Sequence, residues 1–539
     1  MFLKGNTKIF MKKKFSCCFL LLAMTSLSGC GQNTDEPKKD NKQEEVKDMS
    51  GFSNISDGTF DIHTTEQKAF LEYSGNYETC PADLYPDGKS HLSDSLPITL
   101  DFDYDNEDAV DKYSIMFGQK ADLSDGYIVN GTKETSITFY NPFLGTNYYK
   151  LIANNTDGTT DETLIRSFTV SSSYPRNLTI EGLTNCRDIG GRKTADGGTI
   201  KPGLIYRTSG KNQNGSLTEK TTEEMVNHLK VKNEINLAGD SDSYNLGLTG
   251  TTLISKCKMD TSSTGGYNHL SRNAEAPKNF FLTLDDENNY PLFYHCKIGT
   301  DRTGVCSVLL AGLLGVPENE IFQDYLFSNF GKIGEKRGIG TGDSHDMKKY
   351  FDDILAMPGE NFRNKVYNIL LGIGLTRTTL DHIIDFLTEG NKATGNDYGQ
   401  IIARADVLTA TGVTVTTDTS DRDNPDKYYV LNAAGQSLSY TFTAEKAFSG
   451  SVYAYLGNPD ASTSKKIGDA IGCSYDGTEV QVRDVTYKNA RMDKCTKSGK
   501  SRTNYYPVLL GSVNVTAGQH TIAINFKGDS MNIGGIYIF

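Results

Sequence analysis

The chain has 539 residues, with 55 Lys or Arg against 67 Asp or Glu, so its formal net charge is −12. This length predicts about three domains rather than one. The acidic balance disfavours nucleic-acid binding, which needs a basic face, and the composition excludes collagen-like, disulfide-scaffold and multi-span membrane proteins. The sequence therefore predicts a modular, mildly acidic protein that binds no nucleic acid.

The first fifty residues predict an export signal followed by a tether. A basic stretch at Lys12–Lys14 precedes the apolar run Phe15–Met24. This run is too short to span a bilayer as a mature helix, which is typical of a signal peptide, here over residues 1–29. Residues 30–50 are polar and charged and cannot bury a core, so we expect a disordered tether there.

The end of the predicted signal also indicates where the protein is located. The stretch L-S-G-C, ending at Cys30, resembles the bacterial lipobox, in which signal removal leaves a lipidated cysteine at the new N-terminus. On this resemblance Cys30 carries the lipid, and the protein is extracytoplasmic and held to a bacterial membrane or cell surface by its lipid anchor only. The alternative is ordinary cleaved secretion with Cys30 incidental. Either Met1 or Met11 can be the start, since a complete signal begins at Met11.

Residues 95–172 show the alternation of apolar and polar residues that is typical of strands. Examples are I-T-L-D-F-D-Y-D, T-S-I-T-F-Y and Y-Y-K-L-I-A-N-N, separated by turn signals such as N-N-T-D-G. Such runs predict the antiparallel strands of a β-sandwich. The segment resembles a fibronectin type III module, which implies a spacer or docking role.

Residues 175–390 change to an α/β pattern. Alternating strands and helices in a segment of this size predict a central sheet with flanking helices. The predicted strands are Leu204–Tyr206, Lys232–Leu237, Thr252–Lys256 and Pro291–His295, and the predicted helices are Thr218–Leu229, Thr303–Leu314, Glu318–Phe327, Asp346–Leu355, Phe362–Leu371 and Thr376–Leu387.

Residues 400–539 return to short strands and predict a second β-sandwich. The final strands, with A-G-Q-H-T-I and N-I-G-G-I-Y-I, resemble carbohydrate-binding jelly rolls of the galactose-binding-like type, which implies a glycan partner. The absence of Trp argues against sugar binding, although Tyr can take its place, so binding and a purely structural role both remain open. Cys473 and Cys495 lie in this segment, and a disulfide between them is not decided by the sequence.

The stretch His295–Gly304, H-C-K-I-G-T-D-R-T-G, carries the chemistry. A strand-like run precedes it and an apolar helix-like run follows, so it predicts a strand–loop–helix turn with backbone amides converging at the helix N-terminus. Such a turn binds a tetrahedral anion. The same field lowers the pKa of a thiol, so Cys296 is expected to be a thiolate nucleophile.

The neighbours of Cys296 fit a phosphate ligand. The planar guanidinium group of Arg302 can donate to two phosphate oxygens. Thr303 brings a hydroxyl near the sulfur, and His295 can order the loop by hydrogen bonds. A structural cysteine beside an unrelated arginine is the alternative, but six specified positions match by chance with odds of about 10⁻⁵. The expected phosphate-binding loop consists of Lys297, Ile298, Gly299 and Thr300.

This stretch matches the H-C-x5-R-[ST] signature of cysteine-dependent protein tyrosine phosphatases. A second stretch, N-C-R-D-I-G-G from Asn185, resembles the N-x-R-D-[LI]-G-G opening of bacterial tyrosine and phosphoinositide phosphatases. The resemblance covers about 175–390. It implies the protein tyrosine phosphatase fold, a cysteinyl-phosphate intermediate, and neither cofactor nor catalytic metal, with Arg187 and Asp188 bracing the active-site loop.

The general acid is less clearly indicated. The resemblance implies Asp301, the residue before the loop arginine, although the same carboxylate could instead stabilise the loop. Most tyrosine phosphatases use an Asp on a separate mobile loop, and the candidates for that role are Asp240, Asp242 and Asp260.

Two departures from the family pattern bear on the substrate. The chain has Asn236-Leu237-Ala238 where the family has D-L-R, and Thr300 where phosphoinositide phosphatases often have Lys. One loop lysine, Lys297, favours a less polyanionic substrate than two would. We therefore expect an exported phosphatase acting on phosphotyrosine in proteins.

Two other functions remain open. The same chemistry could act on phosphoinositides, inositol phosphates or phosphosugars, so that the partner is a small phosphomonoester. A non-enzymatic surface protein could merely capture phosphate. The Cys296 and Arg302 pair argues against this last reading, because a binder needs no nucleophile.

Overall fold

The computed structural model describes residues 50–239, 242–259, 275–340, 347–355, 357, 359, 361–390, 401–417, 427–459, 465–487, 495–497, 500–502 and 505–539. The predicted signal peptide, Cys30 and nearly all of the predicted tether lie outside these residues, as do Asp240 and Asp260. Within the described ranges, no helix is long and apolar enough to cross a bilayer.

The N-terminal β region is built on a six-stranded sheet. Its strands are β1 (Phe52–Ser53), β2 (Thr59–Phe60), β3 (Ile98–Asp101), β4 (Asp103–Tyr104), β5 (Val110–Gly118), β6 (Tyr127–Asn130), β7 (Ser136–Phe139), β8 (Gly145–Asn155), β9 (Thr160–Glu162) and β10 (Arg166–Val170). The sheet has the order β2-β10-β8-β5-β6, with β9 beside β8, while β3 pairs with β7 and β1 with β4. Alternate residues such as Leu100, Ile115 and Leu151 point into one apolar core.

The segment that connects β2 to β3 leaves this core and packs into the core of the α/β region. It contains the helix Thr65–Leu71 and two short turns of 3₁₀-helix, Tyr77–Thr79 and Ala82–Leu84. Thr64 begins the helix with a capping box, in which its side chain accepts from the Gln67 amide and the Gln67 side chain accepts in return. Phe70, Tyr77 and Tyr85 are buried in the core of the α/β region.

The α/β region has a five-stranded sheet of order β11-β13-β16-β14-β15. Its strands are β11 (Arg187–Asp188), β13 (Ile205–Thr208), β14 (Asn233–Asn236), β15 (Thr252–Ile254) and β16 (Leu292–His295), and a separate pair joins β12 (Thr199–Ile200) to β17 (Thr388–Glu389). Strands β13, β16, β14 and β15 run parallel, and β11 is antiparallel to β13. All four predicted strands are found.

The helices of this region cover the sheet. They are Glu219–Thr222, which continues as the π-helix Glu223–His228, then Glu275–Leu284, Asp301–Leu313, Glu318–Phe327, Met347–Leu355, Phe362–Gly372 and Arg377–Leu387, with 3₁₀ turns at Asp242–Tyr244, Glu287–Asn289 and Ser328–Phe330. The helix Glu275–Leu284 was not predicted. The helix Asp301–Leu313 is buried around most of its circumference, as its uninterrupted apolar run implies.

The C-terminal region has two large antiparallel sheets that enclose a third core, and a separate antiparallel pair formed by Cys495–Lys497 and Lys500–Arg502. Its strands are β18 (Ile401–Arg404), β19 (Thr409–Thr411), β20 (Val415–Thr417), β21 (Lys427–Leu431), β22 (Ser437–Ala444), β23 (Phe448–Gly457), β24 (Ile471–Tyr475), β25 (Thr478–Val480), β26 (Cys495–Lys497), β27 (Lys500–Arg502), β28 (Tyr505–Val515), β29 (Gly518–Phe526) and β30 (Met531–Ile538). One sheet has the order β20-β21-β30-β23-β28 with β18 beside β30, the other β19-β22-β29-β24-β25. Cys473 is a free thiol in this core.

Buried polar contacts join the N-terminal β region to the α/β region. The Arg176 guanidinium donates to the carbonyl oxygens of Asn141 (2.7 Å) and Pro142 (2.9 Å) and lies 3.8 Å from the Phe143 ring centroid. Its remaining nitrogen pairs with Asp188 at 2.9 Å. Both partners of this ion pair are fully buried, so each depends on the other for its charge.

This pair gives a stability prediction. Arg176→Met leaves the Asp188 carboxylate buried without its cation, which is expected to lower the free energy of unfolding by about 3–5 kcal/mol in a urea titration. The matched control is Arg166→Met, which breaks a partly exposed pair with Asp57 and is expected to cost about 1 kcal/mol or less. Equal losses in the two variants would contradict the assignment.

Candidate active site

The predicted strand–loop–helix turn is present at the centre of the α/β sheet. Strand β16 ends at His295, the loop follows from Cys296 to Thr300, and the helix begins at Asp301. Because β16 lies between β13 and β14, the loop emerges at the carboxyl edge of the parallel strands, where α/β sheets bind their ligands. Cys296 is 1% exposed.

The carbonyl oxygens of this loop all accept hydrogen bonds. The Cys296 carbonyl accepts from His295 Nδ1 (2.8 Å), that of Lys297 from the Gly210 amide (2.9 Å), and that of Ile298 from the Thr300 hydroxyl (3.4 Å). The Gly299 carbonyl accepts from Arg207 Nη2 (2.8 Å) and Asn185 Nδ2 (2.9 Å), and that of Thr300 from the Gly304 amide (2.7 Å). In a trans peptide the N–H points opposite to the C=O. Holding the carbonyls outward therefore turns the loop amides towards the space in front of the helix, where an anion binds.

Three buried charges support the loop from behind. Arg207 and Arg187 both pair with Asp324, at 2.6 and 2.8 Å, and Arg187 also donates to the Asn185 side chain. Burial raises the pKa of Asp324, but the two guanidinium groups outweigh it and hold that pKa well below its usual range. The carboxylate is therefore charged at neutral pH and keeps both arginines in place.

Gly299 lets the loop pack closely against strand β13. Its φ of +71° lies in the left-handed region, and a Cβ at this position would lie 2.4 Å from the Thr208 carbonyl oxygen. No L-residue with a side chain fits there without moving the strand β13 behind it.

The surroundings of Cys296 favour its thiolate. Burial and the charge of Asp301 raise the pKa of the thiol. Arg302 and the hydroxyl and amide of Thr303 lower it by more, so the pKa of Cys296 is below the usual value for a cysteine. The Thr303 hydroxyl is buried and has no hydrogen bond of ordinary length among the described residues.

Both ring nitrogens of His295 make a hydrogen bond. Nδ1 lies 2.8 Å from the Cys296 carbonyl oxygen and Nε2 lies 2.9 Å from Glu234 Oε1. The Glu234 side chain also accepts from the amides of Leu246 (2.8 Å) and Gly247 (3.1 Å), which fixes its position. His295 therefore links strand β14 to the carbonyl group of Cys296 and holds that end of the loop.

The carboxylate of Asp301 is paired with Arg337. The guanidinium donates to both oxygens, at 2.9 and 3.1 Å, and Arg337 is itself held by Glu335 and by the side chain of Asn329. This contact orients Asp301 at the start of the helix and stabilises its charged form. Asp242 is exposed and pairs with Lys258, which lowers the pKa of Asp242.

The remaining predicted residues are distributed around the loop. Lys297 is exposed, with Nζ 5.9 Å from the Tyr244 ring centroid, Ile298 is half-buried, and the Thr300 side chain accepts from Asn185 at 3.2 Å. Arg187 acts on the loop through Asn185 and, by way of Asp324, through Arg207. The hydrogen bonds of Asp188 are with Arg176 and the amides of Gly190 and Gly203, so they support the turn before β13, and the role of Asp188 in bracing the loop stays a prediction.

Several supporting residues were not identified from the sequence. They are Asn185, Arg207, Glu234, Asp324 and Arg337. Asn185 begins the stretch N-C-R-D-I-G-G that carries part of the family resemblance, so that stretch held a signal for it. Elsewhere in the described residues, no three His, Cys, Asp or Glu side chains are grouped as metal ligands would be.

Comparison with known families agrees with this geometry. Residues 178–389 match the tyrosine phosphatase family. A Cupriavidus necator protein, named as a tyrosine-protein phosphatase with the activity marked as unproven, is 23% identical over 178 residues. The aligned part is 28% of this chain and spans 63% of that relative's length. The resemblance that the two sequence motifs indicate is confirmed.

Solved structures were also compared with the whole chain. A family 35 carbohydrate binding module from Clostridium thermocellum is 13% identical over 26% of this chain and 98% of its own, with a TM-score of 0.19. The C-terminal CBM6 of a laminarinase from Zobellia galactanivorans is 14% identical over 26% of this chain and 98% of its own, with a TM-score of 0.18. The description of the C-terminal sheets therefore rests on their own strand order.

The pairing of Glu234 with His295 yields a prediction about the nucleophile of this phosphatase-family segment. In Glu234→Gln the carboxylate that anchors His295 Nε2 is lost, so the ring that holds the Cys296 carbonyl oxygen is less firmly placed. The rate at which iodoacetamide alkylates Cys296 is expected to fall severalfold, because the loop around the sulfur loses one of its supports. Glu224→Gln is the control, because Glu224 pairs with His228 at 2.8 Å away from the loop. A folded Glu234→Gln protein that is alkylated at the wild-type rate would refute this role of His295.

Proposed function

We propose that this protein is an exported phosphatase that hydrolyses phosphotyrosine in proteins through a cysteinyl-phosphate intermediate. The observation that carries the proposal is a buried cysteine of lowered pKa at the end of the central strand, six residues before an arginine in the first turn of the following helix. The family match of residues 178–389 supports the same chemistry. No cofactor enters the proposed reaction.

In the proposed reaction the phosphoryl group binds to the loop amides, with Arg302 across its oxygens. The Cys296 thiolate attacks phosphorus, a sulfur–phosphorus bond forms, and the ester oxygen leaves with a proton from an acid. Water then attacks the phosphorus, the sulfur–phosphorus bond breaks, and inorganic phosphate and the thiolate are released. The acid, now a carboxylate, takes the proton of that water.

Asp301 is the proposed acid. Its charge acts on the Cys296 sulfur, so the carboxyl group lies near the reaction, and its position before Arg302 is the one the family resemblance implies. The pair with Arg337 opposes protonation, so a bound substrate dianion must weaken it if Asp301 is to donate a proton. Asp242, Asp240 and Asp260 remain the other candidates.

The rim of the site favours an aromatic phosphate ester over a polyphosphorylated one. The half-buried ring of Tyr244 lies beside Lys297, and the Tyr244 carbonyl oxygen accepts from the Lys211 amide near the loop. A ring in this position can stack on a phenyl group. Lys297 is the one lysine of the loop, whereas a substrate with several phosphates favours more. Phosphoinositides, inositol phosphates and phosphosugars are the alternative substrates.

The flanking regions suggest where the enzyme works. We propose that Cys30 carries a lipid that anchors the protein to a bacterial membrane, and that the N-terminal β region is a fibronectin III-like docking module. We further propose that the two C-terminal sheets form a jelly roll that binds a glycan. Membrane retention of a Cys30→Ser variant would contradict the anchor, and failure of the whole protein to bind any polysaccharide in a panel would contradict the last proposal.

A substrate panel tests the activity. The wild-type protein is expected to release phosphate from phosphotyrosine peptides faster than from inositol phosphates, lipid head groups or phosphosugars, to be inhibited by vanadate and to be unaffected by EDTA. Cys296→Ser is expected to lose turnover, whereas Cys473→Ser, a buried free cysteine of the C-terminal region, is expected to keep it. Turnover by the Cys296→Ser protein would refute the mechanism. Complete inactivity of the wild type on every ester would favour a non-enzymatic binding protein.

A further inference from the structure

A stretch of chain outside the family-matched residues 178–389 contacts residues that hold the loop Cys296–Thr300. Residues 88–93 end the connecting segment that follows the helix Thr65–Leu71, and Ser93 is 1% exposed. We call residues 88–93 the clasp. It makes hydrogen bonds to two separate parts of the α/β region, and each of those parts contacts the loop.

The first route runs through Asn185. The Ser93 hydroxyl oxygen accepts from the Asn185 amide at 3.0 Å, and the Ser93 carbonyl oxygen accepts from Asn177 at 2.9 Å. Asn185 has a φ of +60°, which asparagine tolerates better than most residues, and its side chain donates to the Gly299 carbonyl and the Thr300 hydroxyl. Ser93 thus fixes the backbone of the residue that holds the middle of the loop.

The second route runs through the stretch before Arg337. The Gly88 carbonyl oxygen accepts from the amides of Ile333 and Gly334, both at 2.8 Å, and the Leu92 amide donates to the Phe330 carbonyl oxygen at 2.7 Å. Arg337, three residues beyond Gly334, pairs with Asp301.

The two routes are joined at Thr184. Its hydroxyl lies 2.8 Å from His91 Nδ1 and accepts from the Lys332 amide at 2.9 Å. The clasp therefore contacts the Thr184–Asn185 turn and the 330–334 stretch at once.

The clasp is itself held by the connecting helix. Gln67, fully buried in that helix, donates to the carbonyl oxygens of Leu92 (2.8 Å) and Asp94 (3.1 Å). Buried polar groups with every partner in place define a single geometry, because breaking any contact leaves a group without a hydrogen bond. The position of the clasp is consequently set by the N-terminal part of the chain.

We propose that Ser93 is a positioning residue for catalysis, and that the clasp makes the N-terminal part of the chain a structural component of the active site rather than a spacer. The proposal rests on the phosphatase function proposed above. Ser93 touches neither the nucleophile nor the loop. It acts on the loop amides through Asn185, so its loss is expected to lower the rate of the chemical step more than substrate binding.

The test compares Ser93→Ala with Ser95→Ala in the full chain. Ser95 is a buried serine two residues along, but its hydroxyl contacts Asn141 and Thr179 at the junction with the N-terminal β region. With a phosphotyrosine peptide, Ser93→Ala is expected to lower kcat about tenfold with little change in KM. Ser95→Ala is expected to keep kcat within twofold of the wild type. Equal kcat values in the two variants would overturn the proposal.

A double-mutant cycle with Asn185→Gly separates positioning from general loss of stability. Glycine keeps the backbone amide and the positive φ but removes the side-chain bonds to the loop, so Ser93→Ala should have little further effect in that background. An undiminished effect there would mean that Ser93 does not act through Asn185. Thermal unfolding of each variant is measured alongside. If Ser93→Ala does not fold, His91→Leu replaces it. This change removes the hydrogen bond of the ring to Thr184 and its contact with Asp94 at 2.9 Å, so a severalfold fall in kcat is expected, and unchanged kcat would overturn the proposal.

Failure of the proposed function is distinguishable from failure of this inference. If the wild type hydrolyses no ester, the variants are compared by the protection of Cys296 from iodoacetamide that vanadate gives, because vanadate takes the five-coordinate geometry of the transition state rather than that of the bound substrate. Ser93→Ala is then expected to weaken that protection about tenfold, and protection equal to that of Ser95→Ala would overturn the positioning role.

Discussion

The outward hydrogen bonding of the loop carbonyls is the interaction on which the site depends. An anion-binding loop has to direct several amides into one small space, and this exposes its carbonyls to the protein behind it. Each carbonyl from residue 296 to residue 300 has a donor, which for Ile298 is the Thr300 hydroxyl of the loop itself and for the others a residue outside the loop. Because a buried carbonyl without a partner is unfavourable, these donors keep the loop in its binding conformation before any ligand arrives.

The buried charges behind the loop follow from the same requirement. A neutral donor could bond the Gly299 carbonyl, but Arg207 does so as a cation, and a buried cation needs an anion. Asp324 supplies it and also holds Arg187, which fixes Asn185 as the second donor to the same carbonyl. The chain as a whole carries −12, so the attraction for a phosphate must be local, through the loop amides and Arg302.

The part of the site that is contiguous in sequence could be predicted, and the part that converges from a distance could not. The strand, loop and helix around Cys296 follow from residues 291–314, because local pattern determines local structure. The partners that hold them lie far away along the chain: Arg337 is 36 residues from Asp301, Glu234 is 61 from His295, and Ser93 is 92 from Asn185. Strand order places Glu234 beside His295, whereas Arg337 and Ser93 lie in segments between helices and strands, and one sequence reveals neither the strand order nor the path of such segments. The alternating pattern similarly predicted strands in both flanking regions but not how they pair.

The central claim is that Cys296 forms a covalent bond to phosphorus, and it can be tested directly. Wild-type protein is mixed with excess phosphotyrosine peptide, quenched in acid within the first turnover, and digested for mass spectrometry, with the Cys296→Ser protein treated in parallel. The account predicts a phosphoryl group on the peptide that contains Cys296, present at early times, lost as turnover ends, and absent from the variant. Rapid release of phosphate with no adduct on Cys296 at any time would contradict it.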